Sequence, residues 1–397
     1  MSEKSSRTKY LAVSAALALG LSGFGAAALF AAPANAAPAA LVDTDGDKLP
    51  DIWETQGYDA NGDGVIDVNL PAMGANPNHK DLFVEMDYMQ GLLPSSTVAF
   101  DRMVNVFATA PVTNPDGVNG IKLHLDAGTA GGSNYNLGGG NQVPYDSNLS
   151  PALSQTNAIK SANFDSKRAA VFYYMLWADD YDSSCSSGNA FALPNDTFIV
   201  TMGPRCGWTT TQDMQVGTFV HEFGHTLGLR HGGADDGNYK PNYLSVMNYS
   251  FQFSGVPRTD GTFYFGYSNV NPGSLNESSL NESNGLGSLA AGWKTKFYCA
   301  GSTTVTNTGP ANQPIDWNCN GTASGTVSTD INRSNSKSTL LASNNWAEIQ
   351  FGGGAVGGAG SLAESATPSA EQQVEHHEHE LTKADWDKLK VGIKPAH

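Results

Sequence analysis

Between His221 and His231 the chain reads His-Glu-Phe-Gly-His-Thr-Leu-Gly-Leu-Arg-His, and these residue types at this spacing suit one kind of chemistry. Two histidines four apart on a helix project from the same face, so both imidazoles can take corners of one tetrahedral metal site. Glu222 stands beside that site, placed to accept a proton from a metal-activated water. Gly228 is the expected end of the helix, because glycine takes up left-handed backbone at little cost. The chain can then turn and bring back His231 as a third ligand. Three neutral ligands leave a zinc ion its full double charge and one position for water, whose pKa falls toward about 7, so the donor set is catalytic in type rather than structural. The expected reaction is hydrolysis of peptide bonds by a Zn-activated water, with Glu222 as general base that later returns the proton to the leaving amine.

The run His221 to His231 resembles the zinc signature of the metzincin metallopeptidases. Ser245-Val-Met-Asn-Tyr249 resembles the Met-turn of the same family. That resemblance implies a methionine, here Met247, beneath the metal site without ligating it. It also implies that Tyr249 can reach the metal or the developing oxyanion, where the alternative is a core tyrosine. The implied fold is α+β: a zincin-like domain with a twisted mixed sheet, an active-site helix and an irregular C-terminal subdomain. Gly232, directly after the third histidine, matches none of the matrixin, astacin, serralysin or adamalysin habits, so the branch stays open. No cysteine-switch segment precedes the catalytic body.

A second constellation lies upstream. Asp43, Asp45, Asp47, Asp51 and Glu54 carry carboxylates at offsets close to those of an EF-hand loop, and hard oxygen donors so spaced can wrap calcium. Lys48 replaces the usual turn glycine, and the stretch resembles the calcium segment of thrombospondin type 3-like repeats. Asp59, Asn61, Asp63 and Asp67 repeat the first half of the pattern, with Leu70 where a bidentate Glu belongs; two ions, or one with shared ligands, are both compatible. Asp316, Asn318 and Asn320 are a weaker third candidate, which a glycine-flanked turn explains as well. Asp81, Glu85 and Asp87 alternate along a strand and point to a solvated or calcium-linked face. His124 fits a satisfied core histidine, and His376, His377 and His379 fit a solvated tail, with binding of zinc or copper as the alternative.

These groups need elements to hold them. Asp81–Asp87, Ile121–Leu125, Ala169–Leu176 and Thr197–Thr201 have the β-branched and aromatic content or the alternation of strands. Thr97–Ala108 has helical character, and so does Thr211–Leu227, where Val216, Phe219, Phe223 and Leu227 form a stripe of helical period. Strands and helices mixed in this way, followed by a long irregular half, indicate an α+β domain. The expected organisation is a signal peptide over residues 1–36, an acidic calcium-binding arm over 37–75 and a catalytic domain over 76–350. A Gly/Ala/Ser-rich linker and a charged tail with a short helix follow over 351–397.

The leader carries Lys4, Arg7 and Lys9, an apolar stretch, and the small-residue site Ala34-Asn35-Ala36, the pattern of a cleaved secretory signal; an uncleaved anchor is the alternative. Export allows the four cysteines to close. Three connectivities are possible, and the local pairs Cys185 with Cys206 and Cys299 with Cys319 are favoured because each would brace a Gly/Ser/Asn-rich excursion. A net charge of −16 without basic patches excludes nucleic acid and anionic membranes as partners and leaves a protein or peptide substrate. Two alternatives stand beside the secreted endopeptidase: a zinc hydrolase of a non-protein substrate, and a calcium-dependent surface binding protein with a vestigial zinc site.

Overall fold

The computed structural model describes residues 41–299, 305–358, 374–375 and 380–392. The expected signal peptide, most of the linker and the tail histidines His376, His377 and His379 lie outside the described residues.

A six-stranded sheet organises the first half of the chain. Its strands are β1 (Asp81–Met89), β2 (Lys122–Asp126), the short β3 (Gln142–Val143), β4 (Phe172–Ala178), β5 (Gly188–Asn189) and, after the two-residue β6 (Ala192–Leu193) outside this sheet, β7 (Thr197–Thr201). The order is β2-β1-β4-β7-β5, with β3 beside the end of β1; all pairings are parallel except that of β5 with β7. The expected strand at Ala169–Leu176 is shifted: Val171 N donates to Arg168 O in a turn, and extended backbone begins at Phe172.

Parallel sheets need cover on both faces, and strand alternation here builds two cores. Leu82, Val84 and Met86 of β1 and Tyr173, Met175 and Trp177 of β4 pack toward helices α3 (Val98–Ala108) and α5 (Gln212–Thr226). Phe83 and Met89 of β1 and Phe172, Tyr174 and Leu176 of β4 face the other way. That second core contains Leu49, Trp53, Tyr58, Val68 and Leu70, from the acidic arm and its helices α1 (Asp51–Gln56) and α2 (Leu70–Met73). Ile159 of α4 (Ala152–Asn163) packs against it. The arm is therefore part of the domain's packing rather than an appendage.

Burial of the second face corrects one expectation. Asp81, Glu85 and Asp87 share a side of β1 as the alternation requires, but all three are buried. Two of them have protein partners instead of water: Asp87 accepts from Tyr174 and Asn141, and Glu85 pairs with Arg168, whose guanidinium also holds Asp126 and stacks 3.7 Å from the Phe172 ring centroid. Burial still raises the Glu85 carboxyl to about 7 despite the opposing charge of Arg168.

The second half has short strand pairs and a core of its own, with Phe251, Trp293, Phe297, Trp317 and Ile331 inside. Both local cysteine pairs are closed, Cys185–Cys206 and Cys299–Cys319. No helix among the described residues is long and apolar enough to cross a membrane.

Candidate metal centre

Helix α5 begins where Thr211 accepts from Met214 N and runs through the middle of the first core, with Val216, Phe219, Val220 and Phe223 anchoring it. It ends as its sequence requires. Gly228 has φ 86°, its N–H bonds His225 O, and Leu229 N bonds Gly224 O, closing the last turn on itself. The reversal brings His231 back against the helix.

The three imidazoles converge. His225 Nε2 lies 3.2 Å from His221 Nε2 and 3.0 Å from His231 Nε2. Their tautomers follow from their other nitrogens: Nδ1 of His221 faces Val246 O at 2.8 Å, and Nδ1 of His225 faces Leu229 O at 2.7 Å. A carbonyl only accepts, so each Nδ1 carries the proton and a neutral ring turns its Nε2 lone pair inward. Burial holds the pKa of His221 down and that of His225 well down, favouring neutral rings. Facing lone pairs at this distance repel unless a cation lies between them. A divalent ion about 2.0–2.1 Å from tetrahedrally arranged imidazole nitrogens sets them roughly 3.3 Å apart, close to the spacing here.

A fourth donor completes the cluster. Glu380, from beyond the catalytic body, sets its carboxylate 3.2 Å from His221 Nε2 and 3.3 Å from the Nε2 atoms of His225 and His231. His221, His225, His231 and Glu380 form one buried group with ligand atoms within 4.8 Å of one another. The charged tail thus contributes a residue to the site.

Glu222 is fully buried, and neither of its carboxylate oxygens has a hydrogen-bond partner among the described residues. Its carboxylate abuts Gly188 of β5, where an added Cβ would fall 2.5 Å from Oε1. Burial first, and then the nearby charge of Glu380, raise its pKa well above the carboxylate range. Tyr249 also reaches the site: its hydroxyl lies 3.2 Å from His231 Nε2 and donates to Glu380 Oε2 at 3.2 Å. Met247 is buried against Gly224, under the helical turn between the first two histidines.

The upstream carboxylates make a second centre, with one exchange of members. Asp43, Asp45 and Asp47 form one group with ligand atoms within 4.8 Å, and Asp47, Glu54 and Asp81 form another. Both oxygens of Glu54 and Oδ2 of Asp45 are buried without hydrogen-bond partners among the described residues. Burial raises the carboxyls of Asp45, Asp47 and Glu54 to about 6, 8 and 9, and neighbouring carboxylates add to the effect. A hard cation would relieve this concentration of oxygen donors. Asp51 is turned away, its two oxygens accepting from Thr44 N and Oγ1, and Asp81 from β1 stands in the group instead. His124, stacked on Phe83, contacts the other side of Asp81 at 2.5 Å, as a satisfied core histidine does.

Asp59, Asn61, Asp63 and Asp67 are not brought into such a group. Asp59 accepts from the N–H groups of Gly62, Asp63 and Gly64, and Asp67 pairs with Lys167. The same turn recurs at Asp316, which accepts from Asn320 N and Gly321 N, and at Asp330, which accepts from Ser334 N and Asn335 N. The sequence Leu-Asn-Glu-Ser occurs twice, at Leu275–Ser278 and Leu280–Ser283, and each copy sets a buried glutamate on one of the last two turns. Buried Glu282 accepts from Trp317 N in the first of these turns, and buried Glu277 accepts from Ile331 N in the second.

Glu380 is the site residue that local spacing did not reveal; Asp81, expected on a solvated or calcium-linked face of its strand, joins Asp47 and Glu54. The apolar positions Leu381, Trp386 and Leu389 are the one local sign that the tail could dock, and nothing local links Glu380 to histidines far upstream. Comparison with protein-family models gives no match for this sequence, and comparison with curated proteins gives none either.

Proposed function

We propose that the chain is a secreted zinc-dependent endopeptidase of the metzincin type, with His221, His225 and His231 as zinc ligands and Glu222 as general base. The observation that carries this reading is the convergence of three Nε2 atoms beside a buried carboxylate that has no hydrogen-bond partner among the described residues. Zinc, when bound, supplies a Lewis acid that acidifies water and polarises a carbonyl. The protein does the rest. The carbonyls of Val246 and Leu229 lock two of the imidazoles in orientation. Glu222, with its proton affinity raised by burial, takes the proton of the attacking water and delivers it to the leaving amine. Tyr249, once its hydroxyl is released from Glu380, donates to the oxygen that gains negative charge. Calcium suits the oxygen-only donors Asp43, Asp45, Asp47, Glu54 and Asp81, and it would pin the arm to β1. The two disulfides suit an oxidising, extracellular setting.

One observation favours a second reading. Glu380 gives the cluster a fourth protein donor, and four protein donors describe a structural site in a binding protein. Casein hydrolysis separates the two readings, and since Glu380 stands among the ligands, zinc-loaded Glu380→Ala is the form to assay. Cleavage by that variant, lost by about 10²-fold or more when Glu222→Gln is added, supports the peptidase. A zinc-loaded Glu380→Ala protein that cleaves nothing supports the structural site.

A further inference from the structure

We propose that Glu380 is a fourth metal ligand and that, through it, the C-terminal segment holds this site shut as an intramolecular plug. The inference rests on the reading above that the three histidines hold zinc. Its own observation is the carboxylate of Glu380, buried and 3.2–3.3 Å from all three Nε2 atoms, at the remaining corner of the tetrahedron they define.

The backbone on either side carries the segment along one edge of the site. Val374–Glu375 pairs antiparallel with β6, Glu375 opposite Ala192, and further on Thr382 bridges Ser186 in the same sense and in nearly the same register. Ser187 N donates to Leu381 O at 3.0 Å, and Lys383 N donates to Cys185 O at 2.9 Å. The first of these bonds is adjacent to Gly188, the residue against which Glu222 rests. Thr382 caps the tail helix α6 (Lys383–Gly392) by accepting from Asp385 N. That helix is seated by buried Leu389 and by Trp386, whose ring packs edge-on against Phe253 at 5.0 Å.

Two physical consequences follow. A carboxylate at the fourth corner takes the position that an attacking water must hold, and its negative charge weakens the ion as a Lewis acid. Tethering also presents this carboxylate at an effective concentration of about millimolar or more, so a substrate in solution competes poorly with it. The retained Glu222, unpartnered among the described residues, distinguishes a plugged catalytic site from a permanently structural one. The ion pairs of α6, Lys383 with Asp387, Lys388 with Asp385 and Lys390 with Asp387, lie within the helix and would persist if the segment left the site.

The test uses the full chain loaded with cobalt(II) or zinc, comparing the parent with Glu380→Gln and, against misfolding of that variant, Glu380→Asp, which keeps the charge but draws the carboxylate back. The expected result is a changed cobalt absorption spectrum, zinc affinity weakened by about tenfold or more, and a spectrum that responds to acetohydroxamate, to which the parent is blind. Casein cleavage should rise by about tenfold or more. Unchanged spectrum, affinity and hydroxamate response in both variants would overturn the ligand assignment. If these metal readouts change while no casein is cleaved, Glu380 stands as the ligand and the peptidase reading falls. If parent and variants cleave casein equally fast, the plug falls and the peptidase reading stands.

Discussion

Gly224 lies between the first two histidines of the candidate metal centre, and replacing it with alanine tests whether Met247 supports their helical turn. In the interior of a free helix the change stabilises by about 0.8–1.0 kcal/mol, since alanine is the better helix former. Here the added Cβ would lie well inside van der Waals contact distance of Met247 Sδ, 2.9 Å from Tyr267 Cε1 and 3.2 Å from Met247 Cε. Met247 and Tyr267 are both fully buried, and the Tyr267 hydroxyl is tied to Val220 O, so neither yields freely. Overpacking of this kind costs about 1–3 kcal/mol, which outweighs the propensity gain and leaves a net loss on the order of 1 kcal/mol. The strain falls on the turn carrying His221 and His225, so zinc affinity should fall with stability. Urea unfolding of the metal-free protein and chelator competition for zinc measure the two effects separately. A Gly224→Ala protein that is about 1 kcal/mol more stable, with unchanged zinc affinity, would refute a packed Met247 under this turn.

Other outcomes follow from the buried charges. Calcium at a hundred times its dissociation constant should stabilise the protein by about 2.7 kcal/mol, and Glu54→Gln should reduce that gain, as read by unfolding with calcium or with chelator. The pH dependence without calcium has a definite sign. The folded carboxyls of Asp45, Asp47 and Glu54 are raised to about 6, 8 and 9 from 3.8, 3.8 and 4.5. Over that window the folded chain holds protons the unfolded chain has released, so the stability present below about pH 4 is lost as pH rises toward about 9. Calcium should abolish most of the loss, and a calcium-free protein whose unfolding midpoint is flat from pH 5 to 9 would contradict the assignment. Arg168→Met strands Glu85 and Asp126 in the core and should cost about 3–5 kcal/mol near neutral pH. The deficit should shrink at pH 5, where Glu85, whose folded pKa is about 7 even with its partner, takes up a proton.

Elements with strong local signals were legible in the sequence. Thr197–Thr201 and the helix carrying His221 were found nearly to the residue, because β-branched runs, an N-cap threonine and a terminal glycine each have a local cause. Ala169–Val171 was misjudged, because alanines discriminate poorly between a turn and a strand. Helix α4 was missed, since Thr156, Asn157, Lys160, Ser161 and Asn163 leave only a faint apolar stripe. In the arm, the D-x-D spacing identified the right region but named Asp51 where Asp81 belongs. Spacing along the chain cannot show that Asp51 is spent on Thr44 or that β1 brings another carboxylate across. Glu380 shows the same limit more sharply. Its role depends on a contact with His221 at a sequence separation of 159, which no local periodicity encodes.

X-ray absorption at the zinc edge, on purified full-length protein with its metal content measured in parallel, tests the central claim most directly. The expected result is one zinc per chain with three imidazole nitrogens at about 2.0–2.1 Å and one oxygen, the nitrogen contribution falling in a His225→Ala variant. A protein that holds no zinc after loading, or whose zinc has a shell of oxygens alone, would contradict it.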